Sequence, residues 1–164
     1  MLLGFGNMKT AVAFLFAVTS LVSGINARHA RACCKDGWIP YQGHCYHIGY
    51  GTDLTFSEAR AYCQHRGSYL VRLDTFAEYT FLAGILKKTN AGFTWMGLTD
   101  ISHEGIWRWF DTKEHATFSD WAAGEPNNDN GAEDCVHFDY RQNYKWNDVP
   151  CSFKSRPLCE IELR

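Results

Sequence analysis

Glu125-Pro126-Asn127-Asn128-Asp129-Asn130-Gly131-Ala132-Glu133-Asp134-Cys135, followed closely by Trp146-Asn147-Asp148, is the stretch on which the reading of this chain turns. Glu125, Asn127, Glu133, Asn147 and Asp148 offer oxygen atoms only, with no sulfur or imidazole among them. An all-oxygen set suits a hard cation such as Ca²⁺, and three carboxylates around a divalent ion leave a net charge of about −1. The two amides add a second capacity. Each can give its carbonyl oxygen to an ion while its NH₂ group donates outward, and a carboxylate can bind an ion through one oxygen and accept a proton bond through the other. A polyol matches that mixture of donors and acceptors. The Pro-Asn-Asn-Asp-Asn-Gly segment is also ordinary turn chemistry, so taken alone it does not separate an ion-binding loop from a polar turn.

Outward from this stretch, the N-terminal end reads as a targeting segment. Lys9 precedes an apolar run from Ala11 to Val22, interrupted by Thr19 and Ser20 and closed by Ser23-Gly24. That run is shorter than the roughly 20 residues a membrane-spanning helix needs, and its layout is that of a signal peptide. The expectation is a signal over residues 1–24, a short N-terminal segment over 25–32, and a secreted, extracellular product without membrane insertion. Cleavage after Ala27 or Ala32 remains open beside cleavage after Gly24.

Seven cysteines follow: Cys33, Cys34, Cys45, Cys63, Cys135, Cys151 and Cys159. In a secreted chain disulfides are the default for six of them, each contributing about 2–4 kcal/mol mainly through the unfolded state. Cys34 with Cys45 and Cys135 with Cys151 would close short loops and leave Cys63 with Cys159, but spacing alone leaves the pairing open. No Cys-x-x-Cys motif occurs and the His residues are scattered, so zinc and thiol chemistry find little support.

The composition suits one domain with a sizeable core: 46% hydrophobic and 15% aromatic, with 14 Gly implying many turns. The net charge is −2, and removal of Lys9 with the signal takes Lys+Arg from 16 to 15 against 18 Asp+Glu, or −3. With no basic run, this argues against nucleic acid as a partner. The pattern predicts a strand and turn over Trp38–Ile48, a helix from Ser57 to His65 stopped at Gly67, and a second helix capped by Asp74 or Thr75 with Tyr79, Leu82, Ile85 and Leu86 as its buried stripe. Strands are predicted over Phe93–Leu98, Trp107–Phe110, Cys135–Asp139, Tyr144–Asn147 and Pro157–Glu162. The connection from Thr112 to Asp134 is long for a small domain, as functional or disordered loops are, and with Trp121 as an apolar anchor and a bound ion to fix the rest, a metal-organised loop is the better reading over disorder. Trp95, Trp107, Trp109, Phe118 and Trp121 read as core aromatics, and His137 as an exposed strand residue.

These features resemble the C-type lectin domain family across essentially all of Cys33 to Glu160. The resemblance rests on Cys34-Lys-Asp-Gly-Trp38, Cys45-Tyr46, Cys63, Trp95-Met-Gly-Leu98, Glu125-Pro-Asn127, Glu133-Asp-Cys135, Trp146-Asn-Asp148, Cys151 and Cys159. It implies a domain over 33–162 with an α+β fold of two helices, two small antiparallel sheets and a long calcium-organised loop. It further implies the long form of the domain, bridges Cys34–Cys45, Cys63–Cys159 and Cys135–Cys151, and a cis bond before Pro126. For function, it implies Glu125, Asn127, Glu133, Asn147 and Asp148 as both the Ca²⁺ ligands and the carbohydrate-binding residues. The Glu-Pro-Asn motif is that of mannose-type members, which take vicinal hydroxyls of mannose, glucose, N-acetylglucosamine or fucose; galactose-type members tend to carry Gln-Pro-Asp.

The same resemblance suggests an auxiliary calcium site at Asp100, Glu104, Asn128, Glu133 and Asp134, where Asn128 replaces the usual Asp and lowers the local negative charge. The odd Cys33 makes an interchain bridge in a homodimer a further expectation, with paired sites raising avidity for glycans. The leading functional reading is a secreted calcium-dependent lectin in glycan recognition or innate immunity, and the alternative is a shell-matrix or mineral-associated lectin resembling perlucin. An enzyme is not expected: Glu125 and Glu133 could pose as a glycosidase pair, but carboxylates that ligate a metal are poor proton donors.

Overall fold

A computed structural model describes residues 34–163. The expected signal segment 1–24, the segment 25–32 and Cys33 lie outside the described residues. Strand β1 (Ile39–Tyr41) and strand β2 (His44–Ile48) form a hairpin across Gln42-Gly43, where both residues take positive φ. Glycine at the second of these positions tolerates the left-handed backbone at little steric cost.

Helix α1 (Phe56–Gln64) starts one residue before the predicted position because Thr55 and Glu58 form a reciprocal capping box. The Thr55 side chain receives the Glu58 N–H while the Glu58 carboxylate receives the Thr55 N–H at 2.8 Å. Its buried face carries Phe56, Ala59 and Cys63. Strand β3 (Tyr69–Leu70) follows, and helix α2 (Phe76–Lys88) is capped by Thr75, whose hydroxyl receives the Glu78 N–H at 3.1 Å. Tyr79, Leu82 and Leu86 are buried as predicted, while Ile85 is partly buried against the same core.

Strand β4 (Thr94–Thr99) is buried at every position. Gly97 permits this: a Cβ there would lie 2.9 Å from the Leu70 carbonyl oxygen, whereas the Gly97 N–H instead donates to the Val71 carbonyl at 2.8 Å. Strands β5 (Arg108–Trp109), β6 (Cys135–Asp139), β7 (Lys145–Val149) and β8 (Arg156–Glu162) complete the set.

The expected two separate antiparallel sheets are not what the chain forms. Eight strands join in one mixed sheet along β1-β2-β8-β4-β6-β7, with β3 on β8 and β5 on β4. The join is a short parallel pairing of Thr94-Trp95 with Arg156-Pro157, so β8 belongs to both halves. Among the described residues the disulfides are Cys34–Cys45, Cys63–Cys159 and Cys135–Cys151, the pairing that the resemblance implied. Cys63–Cys159 ties α1 to β8, and Cys135–Cys151 ties the start of β6 to the turn after β7.

The long connection is anchored at its base by the chain itself. Trp121 packs on Trp107 at 5.0 Å and on Trp146 at 5.7 Å, and Phe118 packs on Trp146 at 5.4 Å. The Trp146 N–H donates to the Asp120 carbonyl and the Ala122 N–H to the Trp146 carbonyl, while Lys145 pairs with Asp120 at 2.8 Å. Trp95, Trp109 and Trp146 are fully enclosed; Trp107, Phe118 and Trp121 are partly buried against the core. His137 corrects the expectation of an exposed residue. It is 1% exposed, because both faces of β6 are covered, and it stacks on Phe93 at 4.7 Å.

Candidate functional site

Strand β7 and the far end of the long connection build the site together. Trp146 enters the core, and the next two residues, Asn147 and Asp148, sit where β7 meets the loop. Asp148 is fully buried, and its carboxylate accepts from the N–H groups of Asn127 at 3.1 Å and Asn128 at 2.8 Å. These bonds draw the Glu125-Pro126-Asn127 corner onto β7, and the Glu125–Pro126 peptide is cis. The turn beyond it suits its sequence: Asn128, Asn130 and Gly131 have φ of 44°, 58° and 66°, and Asn and Gly are the residues that tolerate that region.

Glu133 closes the turn. Its N–H donates to the Asn128 side-chain oxygen at 3.1 Å, and its carboxylate accepts from the Asp129 N–H at 2.8 Å. Glu125, Asn127, Glu133 and Asp148 are thereby gathered at one place, with half-buried Asn147 beside Asp148 on the strand.

The electrostatics show carboxylates crowded without a counter-charge. Burial, followed by a hydrogen bond and charge repulsion from Asp148 and repulsion from Glu133, pushes the Glu125 carboxyl up to about 7. Burial also raises Glu133, with Asp148 and Asp129 adding repulsion and the Asp129 N–H opposing it. One oxygen of Glu125, Oε2, is buried without any hydrogen-bond partner. Such an orphaned buried acceptor is costly, and a bound cation would satisfy it. The donor set is oxygen-only, which fits Ca²⁺.

Of the suggested auxiliary site, Asp100, Glu104 and Asp134 lie near one another. The Asp100 N–H donates to the Asp134 carbonyl at 3.2 Å, and Asp100 Oδ2 accepts from the Gly105 N–H at 2.8 Å, while Oδ1 is buried and unpartnered. Burial raises the Asp100 pKa, and the charges of Glu104 and Asp134 raise it further. Asn128 and Glu133 bond to each other and belong to the first group, with Glu133 next to Asp134 in the chain.

A third group was not foreseen. His44 Nδ1 lies 2.6 Å from Glu160, and His44, Glu78 and Glu160 present ligand atoms within 4.8 Å of one another, a geometry able to coordinate a metal ion. Glu160 and Glu78 are 1% and 5% exposed, and burial pushes the Glu160 carboxyl up to about 7. Glu160 also accepts from the Arg72 N–H at 2.9 Å, and Glu78 from the Asp74 N–H at 2.9 Å. The only sequence signal was an acidic residue directly after Cys159 in an otherwise buried strand.

Residues 52–161 match the profile of the Lectin C-type domain. The chain is 35% identical over 122 residues to a perlucin-like protein of Mytilus galloprovincialis, covering 73% of this chain and 76% of that one. It is 33% identical over 144 residues to human C-type lectin domain family 10 member A, covering 84% of this chain but only 43% of that protein. The carbohydrate-recognition domain of the mouse scavenger receptor C-type lectin superposes with a TM-score of 0.73 at 27% identity, over 80% of this chain and 100% of that one.

Proposed function

The chain belongs to the lectin C-type domain family, whose domains are non-catalytic carbohydrate-recognition modules, and from that premise we propose that it is a secreted, calcium-dependent lectin for mannose-type sugars. The observation that carries the proposal is the repulsion that Asp148 and Glu133 exert on Glu125, whose Oε2 is buried and without a hydrogen-bond partner. Glu125, Asn127, Glu133, Asn147 and Asp148 would hold Ca²⁺, and the ion supplies open coordination positions for two neighbouring sugar hydroxyls. Glu125 and Glu133 accept the hydroxyl protons, and the Asn127 and Asn147 amides donate to the hydroxyl oxygens. One vicinal diol is thus read as a pair of donors and a pair of acceptors at fixed positions. The order carboxylate-then-amide in Glu125-Pro-Asn127 favours the equatorial 3,4-diol of mannose, glucose or N-acetylglucosamine, or the comparable pair on fucose.

Asp100, Glu104, Asn128, Glu133 and Asp134 would hold an auxiliary Ca²⁺ that steadies the turn. Among the described residues no helix is long and apolar enough to cross a membrane, and the proposed route outward is the signal segment 1–24. A glycan array with calcium and again with chelator tests the reading. Calcium-dependent retention of mannose-type glycans, lost in Glu125→Gln and retuned in Asn147→Asp, is the expected result; retention indifferent to chelator and to both substitutions would overturn it.

A further inference from the structure

The outer stripe of α2 carries a knob and a hole on the same surface. Phe76, at its N-terminal end, is 62% exposed, resting one edge on Tyr79 and Phe118 and leaving the rest of its ring in solvent. Residues 76, 80, 83, 84 and 87 fall on one face of a 3.6-residue helix. Between the Phe76 and Lys87 ends, Thr80, Ala83 and Gly84 leave a groove of ≈ 330 Å³ whose far wall includes the Asp120–Lys145 ion pair. Gly84 has no local reason to be glycine. A Cβ there would meet no atom of this chain within 4 Å, and glycine inside a helix costs about 1 kcal/mol relative to alanine.

Opposite charges flank the stripe. Lys87 in the last turn is exposed and donates to Asn143 Oδ1 at 2.8 Å, and Asp74, just before the N-cap with its side chain 52% exposed, pairs with Arg72 at 3.4 Å. From these relationships we propose that α2 is the contact of a two-fold homodimer, packed antiparallel on the α2 of a second copy with the axis at Thr80. Eight residues, or about 12 Å of helix, separate Phe76 from Gly84. A two-fold at the midpoint therefore sets each Phe76 into the other copy's groove over Gly84, and the small residues let the axes approach. The same operation brings Lys87 towards the partner's Asp74 and opposes the two helix dipoles. A second copy is the occupant favoured because the stripe contains its own complement in shape and in charge, as an isologous contact requires. The contact does not involve the glycan site, and it would present two such sites on one particle.

Three helical turns make a small interface, so association should be weak and concentration-dependent. Sedimentation velocity over a concentration series, on the full chain carrying Cys33→Ser so that no interchain disulfide contributes, tests it. The expected result is a reversible monomer–dimer equilibrium weakened about tenfold or more by Phe76→Asp and by Gly84→Glu. Asp74→Lys and Lys87→Glu each weaken it, and their combination restores it. Near-UV circular dichroism verifies folding of each variant, and Phe76→Asp stands alone if Gly84→Glu fails to fold. A parent that stays monomeric, a dimer indifferent to Phe76→Asp, or a double charge reversal no better than its singles overturns the proposal.

Discussion

The buried carboxylate of Asp148 accepts the backbone N–H of Asn127 at 3.1 Å across 21 positions of sequence, and this bond holds the Glu125–Asn127 corner on strand β7. The second oxygen does the same for Asn128 at 2.8 Å. Hydrogen bonds to an ionised acceptor contribute about 1.5–3 kcal/mol each, partly offset here because the freed N–H groups can reach water. Asp148→Ala should therefore lower stability in chelator by about 1–3 kcal/mol, and should speed hydrogen exchange at Asn127 and Asn128 while leaving β4 protected. Urea unfolding with amide exchange measures both; unchanged exchange at the two Asn amides would show that the corner is held by something else.

Glu125 carries opposite consequences for stability and for binding. Its carboxyl is pushed up to about 7 by burial and by its neighbours Asp148 and Glu133, so the ionised form is disfavoured when no cation is present. Glu125→Gln removes that charge and keeps the size of the side chain. The variant should be at least as stable as the parent in chelator at pH 8, by thermal unfolding, and should have lost calcium-dependent retention on mannose resin. A variant less stable in chelator yet still retained with calcium would contradict both halves.

Legibility from the sequence followed the range of the interaction. The residues that the structure gathers around Asp148 were readable because Glu125-Pro-Asn127 and Trp146-Asn-Asp148 are local motifs, and β6 was placed at its observed bounds because Cys135 and the following run mark it. The start of α1 was also written locally, in Thr55-Phe-Ser-Glu58, but was placed one residue late. The parallel join of Thr94-Trp95 to Arg156-Pro157 has no local signature, so two sheets were expected where one forms. His137 was misplaced because strand alternation assigns inside and outside only when one face of a sheet is wet, and β6 has no wet face. The His44–Glu160 contact spans 116 residues, and no spacing rule reaches that far.

The calcium-free protein should lose stability as pH rises through neutrality. Glu125 and Glu160 are both raised from 4.5 to about 7, mainly by burial, so between those values the folded chain holds protons that the unfolded chain has released. Stability therefore falls with rising pH across that window, and the penalty is fully present above it. His137 acts in the other direction: burial lowers it from 6.5 to about 4, so its contribution is fully present above 6.5 and is lost as pH falls towards 4. Between pH 6.5 and 8 the unfolded His137 releases the last of its proton and adds a small opposing rise, which the two carboxyls together outweigh. Urea midpoints in chelator should be lower at pH 8 than at pH 6.5. Saturating calcium should remove the Glu125 share of that fall, because the bound cation favours its ionised carboxylate, and should leave the Glu160 share. A chelated protein that gains stability from pH 6.5 to 8 would contradict the crowding.

Asn128 is the remaining lever, because it bonds to Glu133, the residue proposed to serve both calcium sites. Its side-chain oxygen accepts the Glu133 N–H at 3.1 Å, and an Asp side chain can make that same bond. Asn128→Asp therefore preserves the turn while adding a charge to the proposed auxiliary site. In calcium-free solution the added repulsion should raise Asp100 further above its ordinary range and lower stability modestly at pH 8. With calcium the extra carboxylate should tighten the auxiliary site by about tenfold or more, since the number of charged ligands tunes affinity. Isothermal titration of Asn128→Asp, compared with Asn128→Asp carrying Asp100→Asn, reads the effect. Tightening abolished by Asp100→Asn is the expected outcome, whereas tightening indifferent to Asp100 would place the gain at the Glu125–Asp148 centre instead.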